Sequence, residues 1–96
     1  MNKYEIMFIV KTTIDEQEAK KSAANLKSII TDMKGEIIEF KEIGQKKLAY
    51  PIKKEVTGFY YLIVCNTNAE TILEFERKTR IDENILRHLI INLDKE

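Results

Sequence analysis

Alternating hydrophobic and polar positions predict four β-strands in this chain. In the first, over 3–10, the even-numbered residues form the better core face: Tyr4, Ile6, Phe8 and Val10. A second and less regular alternation covers 36–43 and continues as extended chain over 46–52. The run 59–65 is apolar at every position, which predicts a central strand buried on both faces. The segment 85–93 is predicted as the last strand.

Apolar residues spaced three and four apart predict two helices. The buried stripe of the first helix is Ala19, Ala23, Leu26, Ile30 and Met33. A capping box of Thr13 and Glu16 is expected to begin this helix, and Gly35 is expected to cap its end. A second capping box, Thr67 with Glu70, is expected to begin the shorter helix. The buried stripe of that helix is Ile72, Phe75 and Thr79.

Glycine and proline locate the irregular positions and the edges of the predicted sheet. Gly44 predicts a bulge, and Pro51 places its strand at an edge because proline has no N–H to donate to a neighbouring strand. Residues 56–58 are predicted to form a turn. The order β-α-β-β-α-β, with two right-handed crossovers, predicts an α+β ferredoxin-like fold. Two helices then pack on one face of a four-stranded antiparallel sheet, with the first and third strands in the middle, and residues 1–96 form a single domain.

The other face of this sheet is predicted to be open and mostly aliphatic. Its members are Met7, Ile9, Leu62, Val64, Leu89 and Ile91. An apolar face of this kind predicts a protein partner or a dimer, unless loops cover part of it. Bases stacked on two central strands, as in RNA-recognition motifs, are not expected, because Tyr60 is the aromatic residue placed for this and the first strand offers none.

The charges cancel overall but are unevenly distributed. Sixteen basic and sixteen acidic residues weigh against a protein that holds nucleic acid by bulk charge. The segment 41–54 nevertheless contains five lysines and one acid, and all arginines fall in one short window: Arg77, Arg80 and Arg87. Guanidinium groups match phosphate oxygens in a bidentate way, but helix capping and surface positions explain these arginines equally well. For Lys46 and Lys47, protection of a sheet edge is the alternative to phosphate contact.

Composition favours a soluble globular protein of the cytoplasm. The chain is 44% hydrophobic and 33% charged, which is ordinary for this class apart from a slight excess of charge. No apolar run approaches the roughly 20 residues that a membrane span needs, and the first residues do not have the pattern of a signal peptide. A single cysteine makes a reducing, cytoplasmic location the default.

The residue types that support catalysis are sparse. His88, the only histidine, is predicted to share a strand face with Leu86 and Ile90 as a packed or half-buried polar residue. Cys65 lies in the most apolar strand, where a thiol is normally inert. The loop 11–13 lacks the arginine that a small phosphatase of this fold needs, and the chain offers neither a zinc set nor a glycine-rich phosphate loop. No catalytic residue, metal, cofactor or small-molecule substrate is therefore expected.

Four stretches together resemble one known family. They are Tyr4-Glu5, the run from Gly44 to Ile52, Gly58-Phe59-Tyr60 and the run from Arg80 to Arg87. In this order, and over nearly the whole chain, they resemble the bacterial small-subunit ribosomal protein six family. The resemblance implies the ferredoxin-like fold and binding to the central domain of small-subunit ribosomal RNA. It also implies a heterodimer with ribosomal protein eighteen, whose primary-binding neighbour is ribosomal protein fifteen, and a location on the ribosome in the cytoplasm.

The same resemblance suggests which residues carry the function. The expected RNA contacts are Lys3, Lys46, Lys47, Arg80 and Arg87. The expected protein interface is Leu48, Tyr50, Ile52, Tyr60 and Leu62. The basic pair is lysine where arginine is common in the family, so a point-charge contact replaces a fork there. A neutral protein of this kind would bind RNA weakly alone and gain affinity as half of a composite surface. The alternative is a ferredoxin-like interaction or regulatory module that dimerises through its open sheet face.

Overall fold

The elements follow one another in the order that the hydrophobic pattern predicts. A computed structural model of the protein describes residues 2–94. Its elements are β1 (Asn2–Lys11), α1 (Glu16–Asp32), β2 (Glu36–Ile52), β3 (Glu55–Thr67), α2 (Ala69–Ile81) and β4 (Ile85–Asn92). The strands form one antiparallel sheet in the order β2-β3-β1-β4. The predicted ferredoxin-like topology, with β1 and β3 central and β2 and β4 at the edges, is confirmed.

The main core lies between the sheet and the two helices. The predicted core face of β1 is confirmed, because all four of its residues are buried: Tyr4, Ile6, Phe8 and Val10. The helical stripes are buried as well, on α1 through Ala19, Ala23, Leu26 and Ile30, and on α2 through Ile72, Phe75 and Thr79. Met33, predicted to continue the first stripe, is instead exposed, since it caps α1 from outside the helix.

Aromatic rings connect three strands and one helix inside this core. The ring of Tyr61 on β3 stacks on Phe8 of β1 at 5.3 Å and on Phe40 of β2 at 6.1 Å. Phe75 of α2 meets the edge of Phe8 at 6.3 Å. Large rings bury much apolar area, and such pairs add about 0.5–1.5 kcal/mol each beyond that area. This row of rings runs across the sheet and holds α2 over it.

The first helix begins two residues later than predicted. Asp15, and not Thr13, is the N-cap of α1, with an extended backbone and a carboxylate that accepts a hydrogen bond from the Glu18 N–H at 2.8 Å. The prediction of Thr13 was therefore wrong. A hydroxyl or a carboxylate can satisfy a free N–H of the first turn. Only the negative carboxylate also interacts favourably with the positive end of the helix dipole.

The second helix likewise starts later than predicted. Its N-cap is Asn68, whose side-chain carbonyl oxygen accepts hydrogen bonds from the N–H of Thr71 at 3.0 Å and from its hydroxyl at 3.1 Å. Thr67, the predicted cap, is still part of β3 and pairs with Asn2. The cap prediction was wrong because the strand holds Thr67, so the first residue free to cap the helix is Asn68.

At the end of α1, the helix cap that the sequence predicted at Gly35 lies on other residues. The C-cap is Met33, and the residue with a left-handed backbone is Lys34, with φ of 67°, so the prediction of Gly35 as the cap was wrong. Gly35 is needed for space instead. A Cβ atom at this position would lie 2.6 Å from Ile30 Cγ2 and 2.9 Å from Thr67 Oγ1. Its N–H donates to the Ile30 carbonyl at 2.8 Å, which closes the helix end.

Gly44 does produce the predicted irregularity in β2. The register against β3 shifts between Glu42 and Gly44, and Gly44 has φ of 109°, a conformation that other residues rarely adopt. The bulge is therefore confirmed, and the backbone conformation is the reason for a glycine there. The strand nevertheless continues through the bulge as a single element of 17 residues.

Beyond Lys47 the last part of β2 leaves regular pairing. The four residues 48–51 stand opposite Val56 alone, and pairing resumes where Ile52 meets Glu55. Pro51 lies in this unpaired stretch of an edge strand, where its missing N–H removes no ladder hydrogen bond. Because of these extra residues, the end of β2 departs from the regular plane of the sheet.

The hairpin between β2 and β3 turns at two lysines. Lys53 and Lys54 have φ of 50° and 68°, positive at both positions as in the tight turns preferred between paired strands. The predicted turn at 56–58 is wrong, since these residues already belong to β3. Such turns usually contain asparagine and glycine, so a lysine pair gave no signal for one.

A bulge in β4 changes the face on which Leu86 lies. Leu86 has no direct partner in β1, because its neighbours on either side pair with Ile9 and Val10. One extra residue reverses the alternation, so Leu86 packs with Ile9 on the open face. The predicted grouping of Leu86 with His88 is therefore wrong, because the alternation was counted straight through the bulge.

Glycine at either of two strained lysines is expected to stabilise the protein. Lys34→Gly and Lys54→Gly should each raise the free energy of unfolding by about 0.5–1 kcal/mol, since glycine adopts positive φ without a steric cost. Urea denaturation measures this. The control Lys21→Gly, at an exposed position inside α1, should lower stability by about 1 kcal/mol. A similar loss in all three variants would contradict the argument from backbone conformation.

Candidate functional surface

The sheet face away from the helices is apolar and largely uncovered. The predicted members of this open face lie on it in register, since Met7 stands between Leu62 and Leu89, and Glu5 between Val64 and Ile91. On the edge strand β4, Leu89 and Ile91 are 48% and 45% exposed. A depression of about 270 Å³ indents this face, and its lining includes Met7, Ile9, Tyr60, Arg87 and Leu89. Such a surface is characteristic of a protein interaction site.

The end of β2 covers one end of the open face. Leu48 is 7% exposed and forms a small second core with Ile9 and Leu86, against which Ile52 and Tyr60 also pack. These residues come from all four strands, so the irregular end of β2 must cross from one edge of the sheet towards the other. The open face is therefore closed at this end and uncovered along the rest of β1, β3 and β4.

The residues predicted for the protein interface divide into a support and a surface. Leu48 is almost fully buried within the chain, so its main role is to hold the end of β2 in place. Tyr50 is 55% exposed on that segment. Ile52, Tyr60 and Leu62 are half-buried around it and along β3. The structure thus brings the predicted set together at one end of the open face.

Two polar contacts attach the end of β2 to the opposite edge strand. The guanidinium of Arg87 donates a hydrogen bond from Nη1 to the hydroxyl of Tyr50, 37 positions away in the chain. The ammonium group of Lys53 lies 3.4 Å from the carbonyl oxygen of Ile85. Together with the packing of Leu48, these contacts join β2 to β4 across the two central strands.

Three of the predicted RNA-contacting residues lie at this same end of the sheet. Lys46 and Lys47 are exposed on β2, opposite Gly58 and Thr57, and Arg87 is exposed on β4. Lys11, Lys53 and Lys54 also lie there, since Lys11 pairs with Gly58 and the two others form the adjoining turn. We call this group the basic end: Lys11, Lys46, Lys47, Lys53, Lys54 and Arg87. Lys11 was not singled out from the sequence because only the pairing of β1 with β3 places it there.

The other two predicted RNA-contacting residues are placed differently. Lys3 pairs with Asn66 at the opposite end of β1, six positions from Ile9, which corresponds to about 20 Å along the strand. Arg80 lies in the last turn of α2, with its guanidinium 3.6 Å from the Glu76 carboxylate. The structure therefore does not bring Lys3 together with Arg87, although both lie on or beside β1.

The three arginines differ in how far their charge is already compensated. Arg77 forms two hydrogen bonds with the Glu74 carboxylate, at 2.6 and 3.1 Å, which lowers the pKa of Glu74 and raises the pKa of Arg77. Arg80 has Glu76 as its ion-pair partner. Within residues 2–94, no carboxylate oxygen lies within 4 Å of Arg87. Arg87 is therefore the arginine whose charge is available to an anion.

The groups that ordinarily carry catalysis are buried or engaged within the fold. His88 lies beside α2, where its Nδ1 is 3.4 Å from the hydroxyl of Thr79. Cys65 is fully buried, and burial raises the pKa of its thiol to about 11. Among the described residues, no three metal-ligating side chains come together. Neither helix of that part of the chain is long and apolar enough to cross a membrane.

Comparison with known proteins gives a consistent result at the levels of sequence and structure. The family model of ribosomal protein S6 matches residues 3–92. The small ribosomal subunit protein bS6 of Phytoplasma australiense is 43% identical over 91 residues, which are 95% of this chain and 98% of that protein. The crystal structure of 30S ribosomal protein S6 from Thermotoga maritima matches with a TM-score of 0.90 at 30% identity, covering 95% of this chain and 86% of the other.

The thiol of Cys65 is expected to be unreactive in the folded protein. Because its pKa is about 11, the thiol stays protonated at pH 8, and the folded chain also shields it from reagents. Labelling with Ellman's reagent should proceed no faster than unfolding, and should become rapid in urea. The sign for stability follows, since a raised thiol pKa favours the fold at neutral pH and this contribution is lost as the pH approaches 11. Rapid labelling of the native protein would contradict the conclusion that the Cys65 thiol is buried and protonated.

Proposed function

The chain belongs to the ribosomal protein S6 family, and from this premise we propose that it binds the central domain of small-subunit ribosomal RNA as a heterodimer with ribosomal protein eighteen. It is a structural, non-enzymatic protein of the small ribosomal subunit and associates with the ribosome in the cytoplasm. The observation that carries the proposal is the junction between an uncovered apolar sheet face and the basic end. One surface suits a protein and the other suits RNA, and Tyr50 and Arg87 lie where they meet.

The protein partner is proposed to cover the open face. Burial of apolar surface favours association by about 25 cal/mol for each Å² removed from water. The exposed side chains of Leu89 and Ile91, with Tyr50 at the closed end, offer such area to a partner. Tyrosine is also enriched at protein interfaces, since its ring packs while its hydroxyl still makes a hydrogen bond.

The RNA contacts are proposed to centre on the basic end. Lys46 and Lys47 supply point charges for phosphates, and Arg87 supplies a guanidinium without a carboxylate partner in residues 2–94. Arg80 can join these residues only by sharing its charge with Glu76. Lys3 requires a separate stretch of RNA at the far end of β1. Phosphate contacts of this kind give affinity and orientation, and not base recognition.

The neutral net charge explains why two proteins act together in this proposal. Sixteen basic and sixteen acidic residues leave no bulk positive charge to hold RNA over a long range. A basic partner on the open face supplies the larger salt-dependent share, and this chain adds a few positioned cations. The alternative of an interaction module that dimerises and never meets RNA depends on the same open face, but membership of a ribosomal family favours the RNA-binding assembly.

Substitutions on the two sides of the sheet test the partner surface. Leu89→Lys is expected to weaken the heterodimer with ribosomal protein eighteen at least tenfold, because it puts a charge into the apolar contact. The matched control is Leu73→Lys, which alters a side chain that is 67% exposed on α2 and should leave affinity unchanged. Isothermal titration calorimetry measures both. Equal affinities in the two variants would exclude the open face as the binding site for ribosomal protein eighteen. Sedimentation of this chain alone tests whether it forms a homodimer instead.

A gel shift with a central-domain RNA fragment tests the composite surface. With ribosomal protein fifteen present throughout, a shift should require both this protein and ribosomal protein eighteen. Arg87→Gln should then weaken binding about tenfold, while Arg77→Gln, which removes the same charge from a pair with Glu74, should change it less than twofold. Unchanged binding by a folded Arg87→Gln variant would exclude Arg87 as an RNA contact. A wild-type pair that fails to bind the RNA would contradict the proposed function itself.

A further inference from the structure

The hydrogen bond between Tyr50 and Arg87 is placed unusually for a surface contact. It joins the two edge strands of the sheet, which never pair with each other, at the point where the end of β2 crosses the open face. Packing of Leu48 against Leu86 and the contact from Lys53 to the Ile85 carbonyl hold the same crossing segment. Tyr50 is thus presented to Arg87 by a segment that two other interactions attach to β4.

The hydroxyl of Tyr50 is a neutral partner for Arg87 and leaves the positive charge of Arg87 uncompensated. A carboxylate compensates the charge of a guanidinium and occupies its fork, as Glu74 does for Arg77. A phenol hydroxyl is neutral and accepts a hydrogen bond from a single nitrogen, Nη1 of Arg87. The remaining N–H groups, one of which is on Nη1 itself, stay available to an anion, and within residues 2–94 no acid lies within 4 Å of them.

We propose that Tyr50 is a positioning residue for RNA binding, whose hydroxyl holds the Arg87 guanidinium at the edge of the open face in an orientation ready to receive a phosphate. This inference rests on the proposed function and adds a residue that acts through another one. An arginine side chain has several freely rotating bonds, and restricting it before binding reduces the entropy lost on contact. The effect of the hydroxyl is therefore expected only while Arg87 is present.

A double-mutant cycle in the assembled complex tests this dependence. The variants are Tyr50→Phe, Arg87→Gln and both together, each combined with ribosomal proteins eighteen and fifteen on the central-domain RNA. Tyr50→Phe keeps the ring and removes only the hydroxyl. It should raise the Kd for RNA about three- to tenfold in the wild-type background and less than twofold in the Arg87→Gln background. Heterodimer affinity without RNA and the unfolding midpoint are measured for every variant. A fall in either quantity that accounts for the loss of RNA affinity in Tyr50→Phe would assign the hydroxyl to the partner surface or to the fold, and would overturn the inference.

The salt dependence adds a readout that a purely structural role would not change. Loss of one phosphate contact reduces the slope of log K against log salt concentration by about one. Arg87→Gln should show this full reduction, and Tyr50→Phe a part of it. An unchanged slope in Tyr50→Phe would indicate that the hydroxyl does not act on the phosphate contact, and would overturn the inference.

The remaining outcomes separate the inference from the function on which it rests. An equal loss from Tyr50→Phe in both backgrounds would mean that the hydroxyl contacts the RNA or the partner directly, and it would overturn the inference. A normal RNA affinity of Tyr50→Phe, together with a weakened RNA affinity of Arg87→Gln, would also overturn the inference. The proposed function would then stand. Failure of the wild-type pair to bind RNA would contradict the proposed function, and the positioning role would be lost with it.

Discussion

The structure depends on a mismatch between the sheet and the helices that cover it. The central strands β1 and β3 carry apolar side chains on both faces, but both helices pack on one face only. On that face, the stacked rings of Phe8, Tyr61 and Phe40 cross three strands, and Phe75 fastens α2 to them. The second face is left with apolar surface that residues 2–94 do not cover, apart from the end reached by β2. An exposed apolar surface of this kind is typical of a binding site for another protein.

The irregular end of β2 determines how this surface connects to the charged part of the molecule. A regular hairpin would have kept Leu48 and Tyr50 at the edge of the sheet. Four residues opposite one instead let the strand cross towards β4, so that Leu48 packs on Ile9 and Tyr50 reaches Arg87. The apolar face and the basic end thereby meet along one line. A protein with no net charge can present a local cationic site in this way, because its other arginines are paired with glutamates.

Two errors in the sequence-based predictions share a cause. The cap of α2 and the position of the hairpin turn were assigned from residue preferences, and each was displaced by strand pairing. Thr67 stays in β3 because it pairs with Asn2, and Lys53 and Lys54 adopt positive φ because the strands on either side require a tight turn. Local preferences differ by about 1 kcal/mol or less between such residues, which pairing and packing outweigh.

The sequence by itself determined the order of elements, the core face of β1, the edge position of β2 and the aliphatic open face. Each of these follows from the alternation of side chains or from proline and glycine, and so depends on residues that are close in the chain. Only the tertiary structure decided that Leu86 joins the open face, that Lys3 lies far from Arg87 and that Arg87 meets Tyr50. These relations depend on strand register and on a bulge, where a shift of one residue moves a side chain to the opposite face, and no local pattern in the sequence records such a shift.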